Sequence, residues 1–318
     1  MKKNKQFLYD YLNAFSPVAQ ETEGQGVWVD YISQYVDEVK TDAYGTSYGV
    51  RNHKFKDGDE HTSNIPKVVI EAHCDEIAWI ITYIEDSGMI RVKRHGGSDN
   101  MIAPSKTVMI HTHNGTKVRG LFGWPAIHTR KSYVEKGYEQ EELWIDTGLK
   151  DKEAVNNAGV EVGNLITFDD QFHEMGDYYV GRSLDNKIGG YIIAEALRKI
   201  HDKGINLPYN LYVVNSVQEE VGLHGAKKIA KHLQADLALV HDVCHNTNTP
   251  KINKAKDGDN KGGEGPCLEY TAQNHRDINK MIREVAKNNK ISAGIEVQIT
   301  SNSLECVKSV LLLTSNSE

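Results

Sequence analysis

The sequence predicts an α/β fold with a mixed, mostly parallel sheet flanked by helices, into which a small all-β domain is inserted. Three uniformly apolar runs are typical of strands covered on both faces, and they occupy residues 67–72, 211–217 and 237–241. Between Ile77 and Met175 the pattern changes to short alternating runs separated by turn pairs, which indicates antiparallel strands. The expected domains are an α/β domain of residues 1–85 and 176–318 and a β-barrel-like insertion of residues 86–175.

Composition and charge exclude several classes of protein. The 318 residues are 39% hydrophobic and 25% charged, which is ordinary for a globular protein with a large core. The formal net charge of -7 argues against nucleic acid or an anionic membrane as a partner. No apolar run approaches the roughly twenty residues of a membrane helix, the N-terminus has no signal-peptide core, and the cysteines show no pairing pattern. We therefore expect a cytoplasmic protein that binds neither nucleic acid nor membrane.

Helical periodicity flanks the apolar runs. Hydrophobic residues recur at helical spacing from about Lys5 to Val39, and the polar stretch Thr41–Asn64 predicts short strands and loops. A helix is predicted over Ile188–Ile200, with Asp185 at its N-terminus. Another helix is predicted between the second and third apolar runs, ending at about Leu233. The two later strands are therefore joined by a helix, as parallel strands require.

Each apolar run ends in residues that bind metals or transfer protons. The first run is followed by His73-Cys74-Asp75-Glu76, the second by Glu219 and Glu220, and the third by Asp242. Sites in open parallel sheets form at the carboxyl ends of the strands. We therefore expect these residues on one rim of the sheet, with Asp185 reaching it from the start of a helix.

Clustered carboxylates repel one another and lose their charge unless cations compensate them. A set of histidine and carboxylates without thiolate suits Zn²⁺, Co²⁺ or Mn²⁺, and a surplus of acids suggests two ions that share a carboxylate. Glu219 and Glu220, as neighbours in a strand, would point to opposite sides, so that one binds a cation and the other accepts a proton. Structural explanations also exist, because the glutamate pair could stabilise a helix N-terminus, Asp185 could be an N-cap and His73 could be a buried histidine bonded to Asp75.

One further pair of potential ligands, His111 and His113, lies beside the turn Asn114-Gly115 in the alternating region. An H-x-H pair can bind metal. Because the pair flanks a turn, however, both side chains are expected to point into solvent.

The order of these motifs resembles the dinuclear metallo-aminopeptidases, namely the glutamyl and deblocking aminopeptidases that include the tetrahedral (TET) ones. The motifs are His73-Cys74-Asp75-Glu76-Ile77, Ser183-Leu184-Asp185-Asn186-Lys187 and Val217-Gln218-Glu219-Glu220-Val221-Gly222. The resemblance runs from the N-terminal helices to about Lys290 and includes the inserted β domain. It implies a fold of the zinc-peptidase type, metal-dependent removal of N-terminal residues from short peptides, and a homo-oligomer.

The resemblance also implies a role for each residue of the rim. Asp185 bridges two divalent metal ions, Zn²⁺ or Co²⁺, and Glu219 is the general base on the water between them. Asp75 orients the metal-bound histidine. The implied metal ligands are His73 and Asp242 at one ion, Glu220 at the other, and Asp185 at both.

The end of the chain departs from this resemblance. A Gly-Thr-Asp segment and a final histidine, which completes the second metal site in the family, have no counterpart after about Lys290, and the last histidine is His275. We expect the second site to be incomplete or to be completed by His241 or His245. A diverged tail or a late reading-frame change would explain the loss, and missing closing elements predict lower stability. The alternative functions are a catalytically impaired relative that binds peptides or assembles, and a glycoside hydrolase that uses paired carboxylates.

Overall fold

The structure is a computed structural model, and it describes residues 3–55, 64–129, 140–272 and 274–297. The α-helices in these residues are α1 Lys3–Asn13, α2 Thr22–Ile32, α3 Lys152–Asn157, α4 Leu184–Asp202, α5 His224–Leu233, α6 Lys254–Asp257 and α7 Arg276–Asn288. The strands are β1 Glu38–Thr41, β2 Ser47–Arg51, β3 Lys67–His73, β4 Ala78–Ile84, β5 Ile90–His95, β6 Thr107–His111, β7 Lys117–Gly123, β8 Trp144–Asp146, β9 Leu165–Phe168, β10 His173–Met175, β11 Tyr178–Val180, β12 Asn210–Ser216, β13 Leu237–Val240, β14 Cys267–Tyr270 and β15 Gly294–Val297. Among the helices described, none is long and apolar enough to cross a membrane.

The chain divides into two compact units. As far as they are described, the first unit contains Met1–Ala14, Thr22–Cys74 and Leu184–Glu318, and the second contains Phe15–Glu21 and Asp75–Ser183. Among the described residues, the first unit has two hydrophobic clusters and the second has one. The helices and the mixed sheet in the first unit confirm the predicted α/β class.

A five-stranded sheet in the order β1-β2-β12-β3-β13 forms the centre of the first unit. The strands β12, β3 and β13 are parallel, whereas β2 pairs antiparallel with both β1 and β12. Ser216 lies opposite His73, and Val240 lies opposite Glu71. The three parallel strands therefore end at the same edge of the sheet.

Side chains of β3 and β12 alternate between two hydrophobic clusters. Ala72 and Val213 belong to a cluster that also contains residues of α1, α2 and α4, whereas Val69 and Val214 pack with residues of α5. Burial of a Val, Leu or Ile side chain contributes about 1.5–3 kcal/mol, so these strands gain from apolar residues at every position. This burial on both faces explains why apolar residues do not alternate with polar ones in these strands, although β3 also buries Glu71 and β12 also buries Asn215 and Ser216.

The second unit contains a closed antiparallel barrel with the strand order β4-β5-β8-β7-β6-β9. Closure pairs the strand edges that an open sheet would leave exposed. The large buried side chains of its core include Trp79, Ile81, Ile90, Val108, Ile110, Phe122, Ile145 and Ile166. The rings of Trp79 and Phe122 meet edge to face, with centroids 5.0 Å apart.

The N-terminal helical region is shorter than its periodicity predicts. The second helix ends at Ile32, and the Tyr35 N–H donates to the Ile32 carbonyl in a turn. The N–H of Asp37 then donates to the Val50 carbonyl at 2.8 Å, and β1 begins at Glu38. The expectation of helix up to Val39 is wrong because strand pairing with β2 overrides the local periodicity.

Candidate metal centre

His73 is the last residue of β3, and its side chain is buried. The Cys74 N–H donates to the Ser216 carbonyl at 2.8 Å, so β3 and β12 stay paired to their ends. The Nε2 atom of His73 lies 3.3 Å from Asp185 Oδ1 and 3.8 Å from Glu219 Oε2. One ring nitrogen therefore faces carboxylates from two different elements.

Asp185 lies at the start of α4, where the backbone is not helical. Asp185 has ψ 112° and Asn186 has φ -118°. The buried Asn186 amide accepts the Gly189 N–H at 3.2 Å and donates to the His241 carbonyl at 2.7 Å. Asn186 thus makes a capping bond of this helix, and its bond to the His241 carbonyl also joins the helix start to the end of β13.

Glu219 and Glu220 lie on a turn after β12, which ends at Ser216. Gln218 adopts a left-handed conformation with φ 55°, and the N–H groups of Gly222 and Leu223 both donate to the Glu219 carbonyl at 2.9 Å. The side-chain alternation expected for a strand does not apply here because the strand has ended. Both glutamates present a carboxylate oxygen to the same histidine.

Two groups of potential metal ligands share one histidine. In each group, the ligand atoms lie within 4.8 Å of one another. The groups are His73, Asp185 and Asp242, and His73, Glu219 and Glu220. One imidazole with four carboxylates is a donor set that divalent ions such as Zn²⁺, Co²⁺ and Mn²⁺ accept, so these residues fit a metal centre.

The other expected residues are placed differently. Asp75 is buried two positions after His73. Within the described residues, neither His241 nor His245 belongs to a ligand group. Burial lowers the pKa of His241, whereas the side chain of His245 is exposed. His275 precedes α7. The tail beyond residue 297 lies outside the described residues, so within them His73 is the single imidazole of both groups.

The His111–His113 pair in the barrel differs from the expectation. The ring of His111 stacks on Phe15 with centroids 3.7 Å apart, and its Nε2 lies 3.1 Å from Thr167 Oγ1. Burial, with a smaller contribution from Lys117, lowers the pKa of His111 to about 3. The expectation that both histidines point into solvent is therefore wrong for His111, whereas His113 is exposed.

Two contributors to the site had no assigned role in the sequence. Asn186 could have been recognised from the sequence, because asparagine is a preferred N-cap residue and a helix is predicted directly after it. In the structure its side chain accepts the Gly189 N–H. Tyr44, whose hydroxyl donates to Gln218 Oε1 at 2.8 Å, gave no such signal because 174 positions separate the two residues. Contacts of this kind depend on tertiary structure alone.

Comparison with known proteins gives consistent matches. The M42 glutamyl aminopeptidase family model matches residues 57–303, which extends past the expected limit at about Lys290. The chain is 33% identical over 270 residues to the putative aminopeptidase FrvX of Escherichia coli (strain K12), covering 83% of this chain and 71% of that protein.

Solved structures show the same similarity. A TET aminopeptidase from the marine sediment archaeon Thaumarchaeota archaeon SCGC AB-539-E09 matches with a TM-score of 0.85 and 26% identity, covering 94% of this chain and 82% of that chain. The TET1 peptidase of Pyrococcus horikoshii, described as able to assemble into a tetrahedron or a large octahedral shell, shares the fold with a TM-score of 0.78 at 24% identity, over 94% of this chain and 86% of that chain. The predicted resemblance and the predicted enzyme class, an aminopeptidase and hence a hydrolase, are confirmed.

Proposed function

Because this chain belongs to the M42 glutamyl aminopeptidase family, we propose that it is a metal-dependent aminopeptidase that removes N-terminal residues from short peptides. The observation that carries this proposal is the convergence of two ligand groups on His73 at the carboxyl ends of the parallel strands. When bound, two divalent ions, Zn²⁺ or Co²⁺, supply Lewis acidity that lowers the pKa of the attacking water and polarises the scissile carbonyl.

The ligand groups support a division of roles among the residues. His73 and Asp242 would hold one ion, and Glu220 would hold the other. Asp185 groups with His73 and Asp242, and its Oδ1 lies 3.3 Å from His73 Nε2. That it would also contact the second ion is implied by the family resemblance. Asp75 would orient the imidazole, as buried carboxylates do for metal-bound histidines.

Glu219 is the proposed general base. Its carboxylate is mostly buried, and its Oε2 lies 3.8 Å from His73 Nε2, so the side chain faces the ligand group. Two N–H groups of the turn fix its backbone carbonyl. Glu219 would take a proton from the attacking water and return it to the leaving amine, while the acidic rim attracts the free amine of the substrate.

Three further features complete the proposal. The second unit would be the inserted β-barrel domain of a homo-oligomer, in keeping with the TET name of a structural relative. Short peptides would be its partners. We assign the chain to the cytoplasm because its cysteines show no C-x-x-C pair and no density typical of a disulfide framework in the sequence.

A catalytically impaired relative that binds peptides or assembles is the second candidate. It is favoured by one observation: within the described residues, both ligand groups depend on a single imidazole. Such a protein would bind peptides without turnover and would hold fewer than two ions per chain.

The test combines metal analysis with activity. We expect two metals per chain and hydrolysis of aminoacyl-anilides that a chelator abolishes and that an N-acetylated substrate does not undergo. Glu219→Gln should lower kcat by about 10²–10⁴-fold while retaining the metals, whereas Glu284→Gln, an exposed change on α7, should have no effect. Cleavage that survives complete chelation would refute the proposal, and peptide binding without turnover would favour the second candidate.

A further inference from the structure

The backbone that presents Glu219 is held in an unfavourable conformation at both ends of its turn. Gln218, immediately before Glu219, has φ 55°, and Leu223 has φ 62°. Side chains with a Cβ disfavour this region because the Cβ atom approaches the following carbonyl oxygen. The position of Glu219 therefore depends on contacts that stabilise these conformations.

Tyr44 supplies one such contact from another part of the chain. Its hydroxyl donates to Gln218 Oε1 at 2.8 Å. The ammonium group of Lys228, on α5, lies 4.6 Å from the centroid of the Tyr44 ring. The ring is thus placed by one contact and the hydroxyl by another, so the hydroxyl can be removed without removing the ring.

The loop that carries Tyr44 is itself well fixed. The Asp42 carboxylate accepts the N–H groups of Tyr44 at 2.8 Å and Thr46 at 3.1 Å. The Gln25 amide donates to the carbonyl of Gly45 at 3.2 Å and to the carbonyl of Asn215, in β12, at 2.7 Å. Tyr44 is therefore anchored to the same strand that leads into the Glu219 turn.

We propose that Tyr44 is a positioning residue for Glu219, acting through Gln218. Its hydroxyl holds the Gln218 side chain, and this keeps the left-handed backbone that directs the Glu219 carboxylate towards His73. The inference rests on the proposed role of Glu219 as general base. Tyr44 does not act on the substrate; it fixes the angle from which the base approaches the water.

The first test is Tyr44→Phe, which keeps the ring beside Lys228 and removes only the hydroxyl. We expect kcat to fall about fivefold, the loss expected for one neutral hydrogen bond, with KM and metal content unchanged. In the metal-free protein, hydrogen–deuterium exchange of the amides of residues 218–225 should rise. Tyr212→Phe, which removes a hydroxyl from β12 itself, is the matched control and should change neither readout.

A double-mutant cycle identifies the bond responsible. Gln218→Ala removes the acceptor, so it should lower kcat itself, and Tyr44→Phe should then cause no further loss. Equal losses from Tyr44→Phe with and without Gln218→Ala would overturn the inference, and so would unchanged amide exchange in Tyr44→Phe. A wild-type protein without chelator-sensitive hydrolysis would refute the proposed function instead, and the exchange measurement would still decide whether Tyr44 holds the turn.

Discussion

Asn186→Ala should destabilise the protein and loosen the metal centre at the same time. The substitution removes the capping bond from Gly189 and the bond to the His241 carbonyl. Loss of an N-cap costs about 1 kcal/mol and loss of a neutral hydrogen bond about 1 kcal/mol. The partly buried His241 carbonyl also loses a partner, so we expect a total loss of about 2–3 kcal/mol. This is a large fraction of the roughly 5–15 kcal/mol by which proteins are stable.

Urea unfolding of the metal-free protein, followed by circular dichroism, measures this loss without a contribution from bound metal. The urea concentration at the unfolding midpoint should fall, while the slope of the free energy of unfolding against urea concentration stays constant. Calorimetric titration with Zn²⁺ should also show weaker binding, since Asn186 joins the chain beside Asp185 to the chain beside Asp242.

The chain offers a matched control in Asn206. Its amide donates to the Lys54 carbonyl at 2.6 Å and accepts the Lys54 N–H at 3.0 Å, but it lies on the surface. Water can replace these exposed bonds, so Asn206→Ala should cost less than about 1 kcal/mol and should leave metal binding unchanged. Equal losses in the two variants, or unaltered Zn²⁺ affinity in Asn186→Ala, would refute the reasoning.

Two further predictions concern the barrel and the glutamate turn. Folding lowers the pKa of His111 to about 3, so the unfolded chain takes up a proton first as pH falls below about 6.5. The free energy of unfolding should therefore decrease by up to about 2 kcal/mol at pH 5. His111→Phe should reduce this pH dependence when urea unfolding is compared at pH 7 and pH 5, and an unchanged pH dependence would contradict the prediction. Gly225→Ala should lower the free energy of unfolding by more than about 2 kcal/mol in the same assay, because the added Cβ would lie 2.3 Å from the Val217 carbonyl oxygen. The control is Gly26→Ala in α2, where a Cβ would meet no atom within 4 Å, so this change should be neutral or stabilising. Similar midpoints for the two glycine variants would contradict the steric argument.

The central strands could be predicted because burial on both faces leaves a distinct sequence pattern. The runs that became β3, β12 and β13 are mostly apolar, and parallel strands of one sheet end at a common edge. From this rule alone, His73 and Asp242 were expected near each other, and the structure places them in one ligand group. Their catalytic roles stay predictions.

The features that the sequence did not indicate depend on distant contacts or on single backbone angles. The start of β1 was taken for helix because its pairing with β2 has no local signal. Gln218 is an ordinary residue in sequence, yet its backbone is left-handed, and the two glutamates after it both lie beside His73. The environment of His111 is set by Phe15, which lies far away in the chain.

The strand order of the central sheet has a consequence for synthesis on the ribosome. The strand β12 lies between β2 and β3, although both of those strands emerge before the barrel and β12 emerges after it. At about 5–20 residues per second, roughly 8–32 s pass between Arg51 and Asn210. By the end of that interval all barrel strands of the second unit have been synthesised. The edges of β2 and β3 that pair with β12 stay unpaired until β12 is synthesised. The nascent chain therefore exposes these two strand edges, and also the other edge of β3, which pairs with β13 only after β12 has been made.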